Sequence, residues 1–134
     1  MEIKDAVNQI PKLKDIGLSN LDISPLEGGL SNHNYLVKNQ GETYVLRIPG
    51  QSVSELVDRK VEKINATIAS DHKINAEILF FDGDSGLQLC RFLDSAATLS
   101  PDTAKDQGAI QRVAKSFSVI HNSKNLFEGV FSPP

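Results

Sequence analysis

Cysteine and tryptophan are almost missing from this chain: its 134 residues hold one Cys and no Trp. A single thiol, Cys90, excludes an internal disulfide and cannot build a cysteine-based zinc site. Long apolar runs are missing too, and none approaches the ~18 residues that span a bilayer. The N-terminal MEIKDAVNQI is amphipathic and mixed in charge, unlike a secretory leader. Nor is there an excess of either charge, since 14 basic and 17 acidic residues give a formal charge of −3. The basic stripe of a sequence-independent nucleic-acid binder is therefore absent, and the lysines and arginines interleave with acids, leaving no polybasic patch for a membrane. A cytoplasmic protein working on neither nucleic acid nor membrane is the expectation. The three histidines, His33, His72 and His121, show no i, i+4 pairing, which argues against zinc. Asp82 and Asp84 in the DGDSG run lack the glutamate that would close a calcium loop, so they read as turn residues. No metal-ligating residue is assigned.

What is present is an ordinary globular composition, 40% hydrophobic and 23% charged, in a length suited to one domain. Residues 2–14 read as a short helix that Pro11 interrupts or ends. Leu21–Glu27 alternates weakly. Asn34–Lys38 and Thr43–Ile48 are rich in strand formers, with Asn39-Gln40-Gly41-Glu42 as a hairpin turn. Val57, Val61, Ile64 and Ile68 recur at helical spacing, and Ser52 or Ser54 is positioned to cap that helix. Glu77–Phe81 and Leu87–Leu93 are short strands around the DGDSG turn. Ser100-Pro101-Asp102 reads as a second helix start, followed by the stripe Ile110, Val113, Ala114, Phe117 and Ile120. The predicted class is α+β: a five-stranded antiparallel sheet with one inserted helix, then a helix lacking a second layer of its own.

Three groups of residues invite chemistry. Gly28 and Gly29 allow close backbone approach to an anion, and Ser31, Asn32 and Asn34 add short polar side chains suited to phosphate. The same residues also suit a plain hairpin turn, and no Gly-Lys-Ser/Thr of a Walker loop follows. Arg47 lies in the apolar Val45-Leu46-Arg47-Ile48. A buried cation there needs a partner, and Glu62, on the polar side of the following helix, is the natural one. The competing reading turns Arg47 outward to solvent. Leu89–Leu93 offers backbone groups at the exit of the sheet, and within it Cys90 reads as a small buried hydrophobe.

In that order, GGLSNHNYLV, YVLRIPG, VDRKVEKIN, ILFFD, DSGLQLCRFL and AKSFSVIHNS resemble the choline/ethanolamine kinase-like family, within the wider aminoglycoside phosphotransferase-like group. The bacterial choline kinases of lipopolysaccharide and teichoic-acid decoration look most similar. The resemblance covers residues 20–125, with GGLSN-x-NY and VLRIPG its most specific parts. It implies a protein-kinase-like N-terminal lobe over residues 1–93, and the hinge exit and first helix of a C-terminal lobe over 94–134. It further implies that Gly28, Gly29, Leu30, Ser31, Asn32 and Asn34 cover the phosphates of ATP. Arg47 would hold those phosphates, Glu62 would hold Arg47, and Cys90, Arg91 and Phe92 would lie in the adenine-binding hinge. Thiamine and homoserine kinase-like relatives share such a lobe, so choline or a similar amino alcohol is the expected acceptor and not the only one.

One departure bears on activity. The family's catalytic base sits in an H-x-D-x-x-x-x-N loop, and a later aspartate holds Mg2+. Here His121-Asn122-Ser123 lacks the aspartate, and no catalytic residue is assigned. The expectation is a truncated, inactive lobe whose base and metal ligands belong to missing sequence. Its exposed last helix would invite a homodimer or a domain swap. The alternative is a stand-alone, non-catalytic kinase-like lobe that serves as a protein-interaction module.

Overall fold

The computed structural model describes residues 1–27, 32–50, 57–124 and 127–129. The chain opens with two short helices, α1 (Ile3–Gln9) and α2 (Pro11–Ile16). Ile10 between them is extended, at φ −94° and ψ 109°, because the ring of a following proline disfavours helical angles in the residue before it. Pro11 thus starts α2 at its first position, where no N–H is needed, and the helix expected over 2–14 is interrupted there, as its proline implied.

Three strands follow, β1 (Asp22–Leu26), β2 (Asn32–Asn39) and β3 (Glu42–Pro49). The β2–β3 turn has Gln40 at φ 46° and Gly41 at φ 85°. Two positive φ values make the turn whose twist matches a hairpin, and the glycine accommodates the more demanding of them. Helix α3 (Arg59–Asp71) is followed by β4 (Ile78–Phe81) and β5 (Gln88–Arg91), and α4 (Gln107–His121) closes the order. The sheet order is β1-β2-β3-β5-β4, every neighbouring pair antiparallel. The predicted five-stranded antiparallel sheet with its inserted helix is what forms.

Two helix starts differ from expectation. Ser52 and Ser54 lie outside the described residues, and α3 is capped by Asp58, whose carboxylate accepts from the amides of Lys60 at 3.0 Å and Val61 at 3.2 Å. Val57 therefore precedes the helix. Ser100 caps only a single 3-10 turn, accepting from the Thr103 amide at 3.1 Å. Asp106 is extended and caps α4 through the Ala109 amide at 2.7 Å. In both cases a carboxylate one residue before the helix is the cap, adding its charge to the helix dipole.

Side-chain alternation divides the sheet into two faces. On one, Val37, Tyr44, Leu46, Ile48 and Leu89 are buried against Ala6, Val7, Ile10 and Leu13 of the N-terminal helices. That layer is the core. The other face carries the intervening residues, Arg47 among them.

Candidate functional site

Antiparallel register sets one row across that second face. Asn34 on β2 pairs with Arg47 on β3, and Arg47 pairs with Gln88 on β5. Directly opposed residues share a face, so three polar side chains line up on a sheet whose other side is apolar. Arg47 stands between them with its side chain one-third exposed, and its Nη1 donates to Gln88 Oε1 at 3.5 Å. Its Nη2 lies 3.3 Å from Glu62 Oε1 on the first turn of α3. The strand-cation to helix-glutamate pair expected from the sequence is present. Arg47 does face away from the core, yet it is held in place by an ion pair.

The sequence reading did not foresee a second arginine here. Arg59 opens α3 with only 6% of its side chain exposed, and its Nη1 lies 2.5 Å from Glu62 Oε2. The i, i+3 spacing puts both residues on one side of the first turn. Two guanidinium groups thus share one carboxylate, for a local charge of about +1 when all three are ionised. Arg59 fits because Gly86 has no side chain: a Cβ there would stand 2.8 Å from Arg59 Cδ and Nε. In the sequence Arg59 sits in the charged run Asp58-Arg59-Lys60, which reads as a solvated helix end. The i, i+3 pairing with Glu62 was the one available signal.

The structure does not bring all the expected residues to this row. Gly28, Gly29, Leu30 and Ser31 lie outside the described residues. Asn32 pairs with Pro49 and by alternation shares the face of Asn34 and Arg47. Cys90 pairs with Val45 on that face and accepts from Gln88 Nε2 at 2.9 Å, so Gln88 links it to Arg47. Burial pushes the Cys90 thiol above its ordinary pKa, which suits a packing residue and not a nucleophile.

Arg91 pairs with Tyr44, which places it on the opposite face. There its Nε lies 2.8 Å from Glu77 Oε2, and its Nη1 lies 3.7 Å from Glu42. The Arg91 and Phe92 amides donate to the carbonyls of Glu77 and Thr43, at 2.9 and 3.0 Å. Both N–H groups are therefore spent within the sheet. Among the described residues no group of three or more His, Cys, Asp or Glu side chains is gathered to hold a cation. Nor is any helix there long and apolar enough to cross a membrane.

Comparisons with known proteins bear on the family and the fold. The family model for choline/ethanolamine kinase matches residues 23–126. Protein LicA of Haemophilus influenzae is 34% identical over 105 residues, which cover 78% of this chain and 31% of LicA. The chain thus spans about a third of the length of that curated relative. The crystal structure of choline kinase LicA from Streptococcus pneumoniae matches with a TM-score of 0.75 at 25% identity, over 97% of this chain and 44% of that one. A LicA crystal structure in complex with AMP matches in fold, with a TM-score of 0.72 at 23% identity, over 98% of this chain and 45% of that one.

Proposed function

The chain belongs to the choline/ethanolamine kinase family, and on that premise we propose that it is the nucleotide-binding part of an ATP-dependent kinase for choline or a similar amino alcohol. The observation that carries this reading is the Arg47–Glu62 pair at 3.3 Å on the polar face of the sheet. Phosphoryl transfer asks a protein chiefly to position the phosphates and neutralise charge on them. A guanidinium aimed by a carboxylate on the adjacent helix meets that demand, and the net positive charge of the Arg47–Glu62–Arg59 group suits an anion. The AMP complex of LicA, a fold neighbour, is in line with nucleotide binding.

In this scheme Arg47 contacts the phosphates, Glu62 holds Arg47, and residues 28–34 are the loop assigned to the phosphates. The adenine lies against the segment that leaves β5, taking backbone groups after Phe92. Residues 1–93 are the nucleotide lobe, and 94–134 are the hinge exit and first helix of a second lobe. No residues of this chain form H-x-D-x-x-x-x-N. The catalytic base, the Mg2+ ligands and the acceptor pocket are accordingly assigned to no residue of this chain, whose proposed part is nucleotide binding and not phosphate transfer.

Calorimetric titration with Mg-ATP tests the reading. The wild-type chain is expected to bind saturably, and Arg47→Ala to bind about tenfold more weakly or worse, the scale of a hydrogen bond to a charged group. Equal affinity of the two proteins would remove Arg47 from the phosphate site. A second reading, a protein-interaction module, is favoured by one observation: Ile110 and Phe117 on α4 are 54% and 55% exposed. A chain that folds but binds no Mg-ATP would move the assignment there.

A further inference from the structure

We propose that Arg59 is a positioning residue for Arg47, acting through Glu62. It fixes one carboxylate oxygen so that the other is presented to β3. The proposal rests on the reading that Arg47 serves the nucleotide phosphates.

The two ion pairs on Glu62 are unequal. Arg59 Nη1 is 2.5 Å from Oε2 and its side chain is 6% exposed, whereas Arg47 Nη2 is 3.3 Å from Oε1 with a side chain one-third exposed. Arg59 Nε and Nη2 are buried and have no hydrogen-bond partner among the described residues. Among the described residues Glu62 is therefore what compensates that buried charge, and a guanidinium left without it would be desolvated and uncompensated. Glu62 consequently cannot turn away from Arg59 to follow Arg47. Arg47, at the longer distance from Glu62 and closer to solvent, is the member of the trio placed to meet a phosphate. Glu62 is the fixed post and Arg47 the arm. Gly86 completes the arrangement by leaving room for the Arg59 side chain.

The test has a nucleotide-free arm and a nucleotide arm. In the first, denaturation of Arg47→Met, Glu62→Gln and their double variant gives the Arg47–Glu62 coupling, measured with Arg59 present and in an Arg59→Met background. Methionine keeps the aliphatic bulk against Gly86 and removes the charge. The expected coupling is about threefold or more in the unfolding equilibrium with Arg59, falling close to one without it. A coupling that is unchanged, or that rises when Arg59 is replaced, would mean independence or competition and would overturn the proposal.

In the second arm Arg59→Met is expected to weaken Mg-ATP binding about threefold or more. It should have no effect in an Arg47→Ala background, and Arg59→Lys should restore part of the loss. Equal loss in both backgrounds would make Arg59 a structural residue only. If Arg47→Ala itself leaves Mg-ATP affinity unchanged, the nucleotide reading fails, and the first arm alone decides whether Arg59 positions Glu62.

Discussion

Gly86 and Gly83 sit in one turn and ought to respond very differently to a methyl group. Gly86 has φ +77°, and a Cβ there would meet Arg59 Cδ and Nε at 2.8 Å. Strain in the left-handed region and the clash with a buried side chain add, so Gly86→Ala is expected to lower stability by about 2–3 kcal/mol in urea denaturation. At Gly83 the nearest atom to a Cβ is Lys63 Cδ at 3.3 Å, in a flexible side chain. Gly83→Ala should cost less than about 0.5 kcal/mol. Similar losses at both positions would argue that the turn and not Arg59 is what Gly86 serves. Asp82 makes the same turn pH-sensitive. Its carboxylate accepts from Ser85 Oγ and from the amides of Asp84 at 3.2 Å and Ser85 at 3.1 Å. The serine hydroxyl first, then the two amides, hold its pKa below the usual carboxylate range. A depressed folded-state pKa contributes stability above the unfolded value of about 4, lost as pH falls through the folded one. Asp82→Asn should therefore be less stable than wild type at pH 7, with the gap narrowing below about pH 4. A gap constant with pH would assign the loss to geometry. Arg47 and Glu62 were legible in the sequence because a charge in an apolar strand demands a partner. Arg59 was not, because among Asp58, Lys60 and Lys63 a charge looks solvated until the fold supplies Gly86.

Elements were easier to find than their ends. Weak alternation at Leu21–Glu27, strand formers at Asn34–Lys38 and Thr43–Ile48, and the short apolar runs Glu77–Phe81 and Leu87–Leu93 placed the five strands within a few residues. Helix starts were harder, because Ser52, Ser54 and Ser100 are as good local caps as Asp58 and Asp106. The choice rests on which residue the tertiary path leaves extended. Tertiary pairing also explains a contact that no local pattern announces. Asn65 on α3 donates through Nδ2 to the Glu128 carbonyl at 2.8 Å, and its Oδ1 accepts from the Glu128 amide at 2.7 Å. One side-chain amide thus satisfies both backbone groups of a residue 63 positions away. Asn65→Ala leaves that amide to solvent. It should raise hydrogen exchange at Glu128 several-fold while global stability falls by no more than about 1 kcal/mol, as expected for exposed bonds. Unaltered exchange at Glu128 would show that another contact holds the segment.

On the scale of the whole molecule, burial is lopsided. The core lies between the N-terminal helices and one face of the sheet, while α4 keeps Ile110 and Phe117 more than half exposed. Two apolar clefts flank the helix. One, of about 290 Å³, is lined by Leu99, Ala104, Ala109, Ile110, Val113, Ala114 and Phe117. The other, of about 250 Å³, lies beside Ile74 and also borders Phe117. Each large apolar side chain left in water forgoes about 1.5–3 kcal/mol, and contiguous patches of this kind mark interaction surfaces. With Arg112 and Lys115 the charged residues inside the helix itself, the stripe has little to keep another apolar surface away. In sedimentation experiments the chain is expected to self-associate as concentration rises, and Ile110→Ser with Phe117→Ser to shift it to monomer. Far-UV circular dichroism and Mg-ATP affinity should stay unchanged, since neither residue belongs to the row of Asn34, Arg47 and Gln88. A monomeric wild type would show that this face is too small to bind a second copy. Association that survives the double substitution would place the contact elsewhere, with the exposed Leu93 beyond β5 the next residue to replace.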